Sequence, residues 1–177
     1  TGLIEILLAA GYLPIPVPNS LLAQPRENNT FTQWIAVVAP TAVVLSGGND
    51  IGTCNRRDMI EIALLAYAER KRLPVLGICR GMQMMGTRSG SNLHTVVGHV
   101  RTSHLLVGEI AREVNSFHNF VLTSCPSNYD VIARSSDGEI EAIRHQSLPW
   151  EGWMWHPERE EVFKAEDISR IRDVLSD

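Results

Sequence analysis

Two short apolar runs rich in β-branched residues, Thr41–Leu45 and Pro74–Ile78, flank a segment of helical character, and this order constrains the fold more than any other feature. The first run leads through Ser46 into Gly47-Gly48, which is typical of a buried strand that ends in a tight turn. Between the runs, apolar residues fill most of a helical face. A strand, a helix and a strand in this order form a βαβ unit, whose crossover makes the strands parallel.

The first forty residues predict a helix and then less regular structure. Residues 3–10 have helical character, and Gly11 stands where a left-handed C-cap is expected. The prolines of residues 12–18 favour a short edge strand or an extended segment over a central strand. Residues 24–32 are polar and rich in turn formers, so they are predicted to form a loop.

The helix of the βαβ unit has a predicted capping box, with Asp58 as N-cap and Glu61 as its partner. The second half of the chain consists of short strand-like segments between turn residues, followed by a C-terminal helix. The segments are residues 113–122, 130–135, 139–145 and 152–155, and the helix covers residues 166–177. The pattern predicts an α/β protein, with residues 1–177 as a single domain.

Composition narrows the classes of function. The net charge of −4 argues against a nucleic-acid-binding protein, because phosphate contacts need a basic surface. No segment is long and apolar enough to predict a membrane span, and no signal peptide is visible. Three cysteines, an odd and sparse set, indicate a reducing compartment, so a cytoplasmic protein is expected. The sequence leaves open whether the protein forms a homodimer.

Cys79 stands at the junction between the second predicted strand and a helix-forming segment. Gly77-Ile78-Cys79-Arg80-Gly81 has the small-x-nucleophile-x-small pattern of a nucleophile elbow, where the backbone is crowded. The helix N-terminus favours a thiolate over a thiol. The alternative is that Cys79 is an inert, buried apolar side chain.

A nucleophilic cysteine needs a base, and the base needs an orienting group. His156 and Glu158 stand two positions apart near the C-terminus. Pro157 favours an extended conformation at His156, which would project both side chains to one side. The sequence therefore predicts a histidine–carboxylate pair as the partner of the thiol.

Four segments together resemble the class I glutamine amidotransferase-like family, and its γ-glutamyl hydrolase branch in particular. They are Leu45–Ile51, Pro74–Met85, Val114–Phe120 and Met154–Glu160, and they occur in the order of the family. The resemblance implies a flavodoxin-like fold, a central and mostly parallel sheet flanked by helices, with a small antiparallel region in the second half. The family's N-terminal strand and arginine-bearing loop have no counterpart in this sequence.

The resemblance also implies an activity, the cleavage of a γ-glutamyl amide through a thioester on the cysteine of a Cys-His-Glu triad. The implied catalytic residues are Cys79, His156 and Glu158. The implied oxyanion hole consists of the backbone N–H groups of Gly48 and Arg80. The implied contacts with the small-molecule γ-glutamyl substrate come from Gly47, Gln83, Asn115, Ser116 and His118.

No cofactor and no metal are expected. His94, His99 and His104 recur every five residues, a spacing that suits neither one helix face nor a usual zinc pattern.

Several functions stay open. Within the branch, the segments are most similar to hydrolases of nucleotide-linked γ-glutamyl amides such as γ-glutamyl-CDP-amidate, with γ-glutamyl-γ-aminobutyrate hydrolases almost as similar. A second alternative is a glutaminase subunit that supplies ammonia to a synthetase partner. A third, of another class, is a non-catalytic binding module with the same fold.

Overall fold

The chain folds into helices packed on a mixed β-sheet. The computed structural model describes residues 2–22 and 28–176. The α-helices are α1 (Gly2–Ala9), α2 (Asn28–Val38), α3 (Asn55–Lys71), α4 (Arg80–Arg88) and α5 (Ala165–Leu175), with 3-10 turns at Asn19–Leu22 and Pro157–Arg159. The strands are β1 (Val43–Leu45), β2 (Val75–Ile78), β3 (Leu93–Thr95), β4 (Val100–Gly108), β5 (Glu113–Phe117), β6 (Phe120–Leu122), β7 (Tyr129–Ser135), β8 (Ile140–His145) and β9 (Trp150–Trp153).

The predicted βαβ unit is present as β1, α3 and β2. Strands β1 and β2 are parallel, with Val43 opposite Val75 and Leu45 opposite Gly77. All four residues of β2 are buried, as an apolar strand covered on both faces should be. On its other side β2 pairs in parallel with β9, which places Ile78 opposite Trp153. The carboxyl ends of three neighbouring strands therefore meet at one edge of the sheet.

The second half of the chain extends this sheet with antiparallel strands. The strand order within the described residues is β1-β2-β9-β8-β7-β4-β5, while β3 and β6 form a separate antiparallel pair. The α/β class is confirmed, and each predicted segment of the second half overlaps a strand. However, residues 113–122 form two strands, β5 and β6, in different sheets, and β9 lies two residues earlier than predicted. The antiparallel part is larger than predicted, because β4 was not expected and bridges β5 and β7.

Two local predictions are wrong. The predicted loop overlaps α2, which begins at Asn28, while residues 24–27 lie outside the described residues. Phe31, Trp34, Ile35 and Val38 follow the spacing of one helix face, and Phe31 and Ile35 are buried. For residues 12–18 the sequence left two alternatives, an edge strand and an extended segment, and the structure contains no strand there.

The second wrong prediction is the capping box of α3. The helix begins at Asn55 with Cys54 at the N-cap position, so Asp58 lies inside the first turn. The carboxylates of Asp58 and Glu61 bind arginine side chains instead of capping the helix.

The βαβ unit contributes much of the buried core through residues such as Leu64, Leu65 and Leu76. No helix within the described ranges is long and apolar enough to cross a bilayer.

Candidate active site

Cys79 lies at the sharp bend between β2 and α4. Its backbone has φ +50° and ψ −105°, a conformation that non-glycine residues rarely adopt. The glycines on either side leave room for this bend, because a Cβ at Gly77 would lie 2.7 Å from the backbone nitrogen of Met82. A Cβ at Gly81 would clash with the Leu45 carbonyl at the end of β1. The predicted elbow is present, and its strain is the kind that clusters at functional sites.

The ionisation of Cys79 differs from the sequence-based expectation of a thiolate. Burial raises the pKa of the thiol to about 11, which outweighs the lowering by the backbone N–H of Arg80 and by the positive charge of Arg159. The carboxylates of Glu158 and Glu141 raise the pKa further. Because the side chain is only 6% exposed, water contributes little to stabilising a thiolate. Without substrate, the Cys79 side chain therefore favours the protonated thiol over the thiolate.

His156 and Glu158 form the pair that the sequence predicts. The His156 Nδ1 atom lies 2.7 Å from a carboxylate oxygen of Glu158. The other ring nitrogen, Nε2, is buried and has no hydrogen-bond partner among the described residues. A hydrogen bond at Nδ1 orients the ring and leaves Nε2 able to accept a proton.

Strand pairing brings the elbow next to the segment that carries His156. The backbone N–H of Cys79 donates to the carbonyl of Trp153, the last residue of β9, over 2.6 Å. His156 follows three positions later, and Glu158 lies close enough to raise the pKa of the thiol. The predicted nucleophile and the predicted base thus follow the carboxyl ends of neighbouring parallel strands, where open α/β sheets bind ligands.

The loop after β1 completes this edge of the sheet. A Cβ at Gly47 would lie 2.5 Å from Cε1 of His156, so the loop backbone passes directly against the imidazole. Gly48 has φ +151°, and a Cβ there would clash with the guanidinium of Arg57. Both predicted glycines therefore stand where a larger residue does not fit.

A network of charged side chains supports the loop after β1 and the elbow at Cys79. This supporting role was not predicted from the sequence. Arg57 donates hydrogen bonds to the carbonyls of Ser46 (2.8 Å) and Gly47 (3.0 Å) and to a carboxylate oxygen of Glu61 (2.8 Å). The other oxygen of Glu61 binds Arg80, which is 1% exposed and also pairs with Asp58. The spacing of Arg57 and Glu61 by four residues was the available signal.

The residues predicted to bind substrate are buried or half-buried and contact other parts of the protein. Gln83 donates to the carbonyl of Phe120 over 2.8 Å. The Asn115 side chain accepts from the N–H of His156 and donates to its carbonyl, each over 2.8 Å. Ser116 donates to the carbonyl of His99, and His118 lies 3.3 Å from Glu141. Asn115 therefore positions the His156 backbone, whereas substrate contacts by these residues stay a prediction.

Phe117 and Arg159 lie beside His156 and were not predicted. The rings of Phe117 and His156 meet edge to face with centroids 5.9 Å apart. The guanidinium of Arg159 lies 4.5 Å from the centroid of Phe117, and its charge lowers the pKa of Cys79. Arg159 is exposed, and an exposed cation near the predicted nucleophile can attract an anionic group of a substrate.

A cavity of about 810 Å³ lies elsewhere, between the N-terminal segment and the edge of β1. Leu7, Tyr12, Trp34 and Arg57 line it, whereas Cys79, His156 and Glu158 do not. The volume of this cavity therefore gives no information about the space around Cys79.

Comparison with known proteins gives one family. The sequence model of glutamine amidotransferase class-I matches residues 21–170. The γ-glutamyl-CDP-amidate hydrolase of Campylobacter jejuni is 32% identical over 67% of this chain, and the match spans only 62% of that relative. The glutamine-hydrolysing GMP synthase subunit of Methanococcoides burtonii is 30% identical over 80% of this chain and 76% of its own length.

Solved structures show the same fold. A protein described as a GMP synthase subunit from Thermoplasma acidophilum superposes with a TM-score of 0.76, at 19% identity, over 98% of this chain and 85% of its own. A glutamine amidotransferase from Thermotoga maritima superposes with a TM-score of 0.62, at 16% identity, over 88% of this chain and 69% of its own.

Proposed function

Since this chain belongs to the glutamine amidotransferase class-I family, we propose that it hydrolyses a γ-glutamyl amide with Cys79 as nucleophile, His156 as base and Glu158 as its orienting partner. One observation carries the proposal. Glu158 holds the His156 ring at 2.7 Å, and the other ring nitrogen has no hydrogen-bond partner among the described residues. The ring lies on the segment that follows β9, the strand that pairs with the strand leading to Cys79.

The first half of the proposed reaction forms a thioester. The sulfur of Cys79 attacks the γ-carbonyl carbon while its proton passes to Nε2 of His156. The raised pKa of the thiol favours this coupled transfer over a thiolate formed before the substrate binds. The backbone N–H groups of Gly48 and Arg80 would hold the oxyanion, and one such donor typically contributes about 2.7–4 kcal/mol. The imidazolium then protonates the departing nitrogen, and the carbon–nitrogen bond breaks.

The second half releases glutamate. His156 takes a proton from water, whose oxygen attacks the thioester carbon. The carbon–sulfur bond breaks, and His156 returns the proton to Cys79. Glu158 stabilises the imidazolium in both halves without itself becoming protonated. No step requires a metal or an organic cofactor.

We further propose that the substrate is a nucleotide-linked γ-glutamyl amide. Two observations support this choice: the matched relative of Campylobacter jejuni bears that activity, and Arg159 offers an exposed positive charge beside the predicted nucleophile. A phosphate on the leaving group would be attracted by this charge. The unpaired state of the cysteines supports a reducing, cytoplasmic setting.

The test is the release of glutamate from a panel that contains γ-glutamyl-CDP-amidate, γ-glutamyl-γ-aminobutyrate and glutamine. We expect turnover of the nucleotide-linked amide, lowered on the order of 10⁴-fold or more in Cys79→Ala, because the thioester cannot form. Cys125→Ser is the matched control, since Cys125 is free and exposed, and it should retain full activity. Equal activity of Cys79→Ala and Cys125→Ser would show that Cys79 is not the nucleophile.

The relatives that belong to GMP synthases favour a second candidate, a glutaminase that supplies ammonia to a synthetase. Glutamine turnover that rises at least tenfold when the ATP-binding partner of a GMP synthase is added would support this candidate. No change on that addition, together with turnover of the nucleotide-linked amide, would exclude it.

A further inference from the structure

Three histidines and one glutamate converge in the antiparallel half of the sheet, and no step of the proposed reaction uses them. They come from separate segments: His99 precedes β4, His104 lies within β4, His118 follows β5 and Glu141 lies in β8. One potential ligand atom from each side chain lies within 4.8 Å of all the others. His99, His118 and Glu141 are at most 2% exposed, and His104 is half-buried.

Most polar atoms of the cluster have no hydrogen-bond partner among the described residues, although Glu141 lies within ion-pair distance of His99 and His118. Six buried atoms have no hydrogen bond within the described part of the chain: His99 Nδ1, His104 Nε2, both ring nitrogens of His118 and both carboxylate oxygens of Glu141. A buried carboxylate and buried imidazole nitrogens are costly in this state. The cluster therefore needs a positively charged species or protons at its centre.

Protonation of the histidines alone would not give every polar atom of the cluster a partner. The ring centroids of His99 and His104 are 4.1 Å apart and those of His99 and His118 are 4.9 Å apart, so two imidazolium ions would repel each other. One protonated histidine could pair with Glu141 but would leave the other rings unsatisfied.

Asp137 provides the kind of support that metal-binding histidines usually have. Its carboxylate lies 2.8 Å from Nε2 of His99 and also accepts a hydrogen bond from the Ser135 hydroxyl. A hydrogen bond from Nε2 of His99 to this carboxylate leaves the lone pair of Nδ1 facing Glu141. A carboxylate behind a ligating histidine is the common outer-shell arrangement.

We propose that this cluster binds one Zn²⁺ ion per chain through Nδ1 of His99, Nε2 of His104, Nε2 of His118 and a carboxylate oxygen of Glu141. Three imidazoles and one carboxylate suit zinc better than the hard cations Mg²⁺ and Ca²⁺. Tetrahedral zinc at ~2.0–2.1 Å from its ligands places them ~3.3 Å from one another. Glu141 Oε1 already lies 3.3 Å from His118 Nε2 and 3.5 Å from His99 Nδ1.

Four protein ligands close the coordination shell, so the ion has a structural role. The ion would join β4, β8 and the segment after β5. Without it, these segments carry buried polar atoms that have no hydrogen-bond partner among the described residues. The proposal takes His118 as a ligand and does not depend on the hydrolase activity.

The test uses untagged protein, stripped with a chelator and titrated with Zn²⁺ against a chromophoric chelator. We expect one equivalent of Zn²⁺ per chain, a melting temperature that rises with Zn²⁺ but not with Mg²⁺, and a Co²⁺ adduct with the strong visible absorption of a tetrahedral site. His104→Ala and Glu141→Gln should each weaken binding by 10- to 100-fold.

The matched control is His94→Ala, because His94 is half-buried like His104, pairs with Glu139 and gives the cluster no ligand atom. It should bind Zn²⁺ as tightly as the unchanged protein. His104→Ala removes only a half-buried side chain, so it keeps the test decisive if Glu141→Gln fails to fold. Less than stoichiometric binding, wild-type affinity in His104→Ala, or a weak octahedral Co²⁺ spectrum would overturn the proposal.

Discussion

Cys79 combines two unfavourable features, a positive φ angle and a buried sulfur with a raised pKa. The bend is local, because β2 must end and α4 begin at this position. The burial depends on distant residues, since the bend lies beside β9, whose Trp153 carbonyl accepts the N–H of Cys79. A side chain under such constraints presents its sulfur in one direction, which suits a nucleophile that reacts only with a positioned substrate.

The raised pKa of Cys79 predicts a loss of stability at high pH. The folded protein holds the thiol proton more tightly than the unfolded chain, whose thiol has a pKa of 9.0, so this stability is complete below pH 9 and is lost as the pH rises toward 11. At pH 10.5 the loss should be about 2 kcal/mol relative to Cys79→Ser, which has no thiol to ionise. Urea unfolding at pH 7 and pH 10.5 measures the difference.

Comparison with Cys79→Ser cancels the other groups that ionise in this range, such as Tyr129, whose pKa is also raised by burial. Equal pH dependence in the two proteins would mean that the Cys79 thiol is not protected in the folded state.

Helix α3 connects β1 to β2 and also holds two segments of the candidate active site in place. Its first two turns carry Arg57, Asp58 and Glu61, which hold the loop after β1 and the side chain of Arg80. The two predicted oxyanion donors lie on segments that this helix connects. A buried arginine depends on such partners, because an unpaired buried charge is strongly destabilising.

Glu61→Gln should therefore affect both stability and catalysis. It leaves Arg80 with Asp58 as its remaining charged partner and weakens the hold on Arg57, so we expect a loss of about 2 kcal/mol or more in the free energy of unfolding. We also expect kcat for glutamate release to fall at least tenfold, because both donors lose support. Urea unfolding and initial-rate kinetics measure the two effects.

The control is Glu69→Gln, on the same helix. Glu69 pairs with Arg88 at the surface, and such exposed pairs contribute about 0–1 kcal/mol. A Glu61→Gln protein that resembles Glu69→Gln in both measurements would contradict the positioning role of α3.

Across the whole molecule, the sheet divides into a parallel part that carries the candidate triad and an antiparallel part that carries the histidine cluster. Strands β2 and β9 are buried along their whole length, and Trp153 stacks on Trp155 at 5.1 Å. Strand β5 lies at the edge of the same sheet and alternates between buried and more exposed residues. Stability should therefore be highest in the middle of the sheet.

Amide hydrogen exchange should reveal this difference. We expect the amides of β2 and β9 to exchange only through global unfolding, whereas those of β5 exchange through smaller openings of the edge. Mass spectrometry of peptic peptides covering residues 75–78, 150–153 and 113–117 can measure the order. Protection of β5 equal to that of β2 would show that the sheet opens as a single unit.

Much of the fold could be predicted because its signals are local. Residues 74–81 specify a buried strand and a bend through their apolar run and two glycines. His156 and Glu158 pair as predicted, but in a 3-10 turn that begins at Pro157 and not in the extended segment that was expected. The predicted capping box of α3 is wrong because the two residues that match it in sequence bind another part of the protein. Asp58 and Glu61 match a capping box in sequence, but buried Arg80, nineteen or more positions away, takes their carboxylates.

The sequence by itself determined where strands end and which residues stand at those ends, since apolar periodicity and glycine placement act over a few neighbours. Only the tertiary structure decided that β9 pairs with β2, so that Gly47, Cys79 and His156 come to one edge. It also gathered the three cluster histidines and Glu141 around one point. The physical reason is that the partner of a strand is chosen by packing across the whole core, and no short stretch of sequence records that choice.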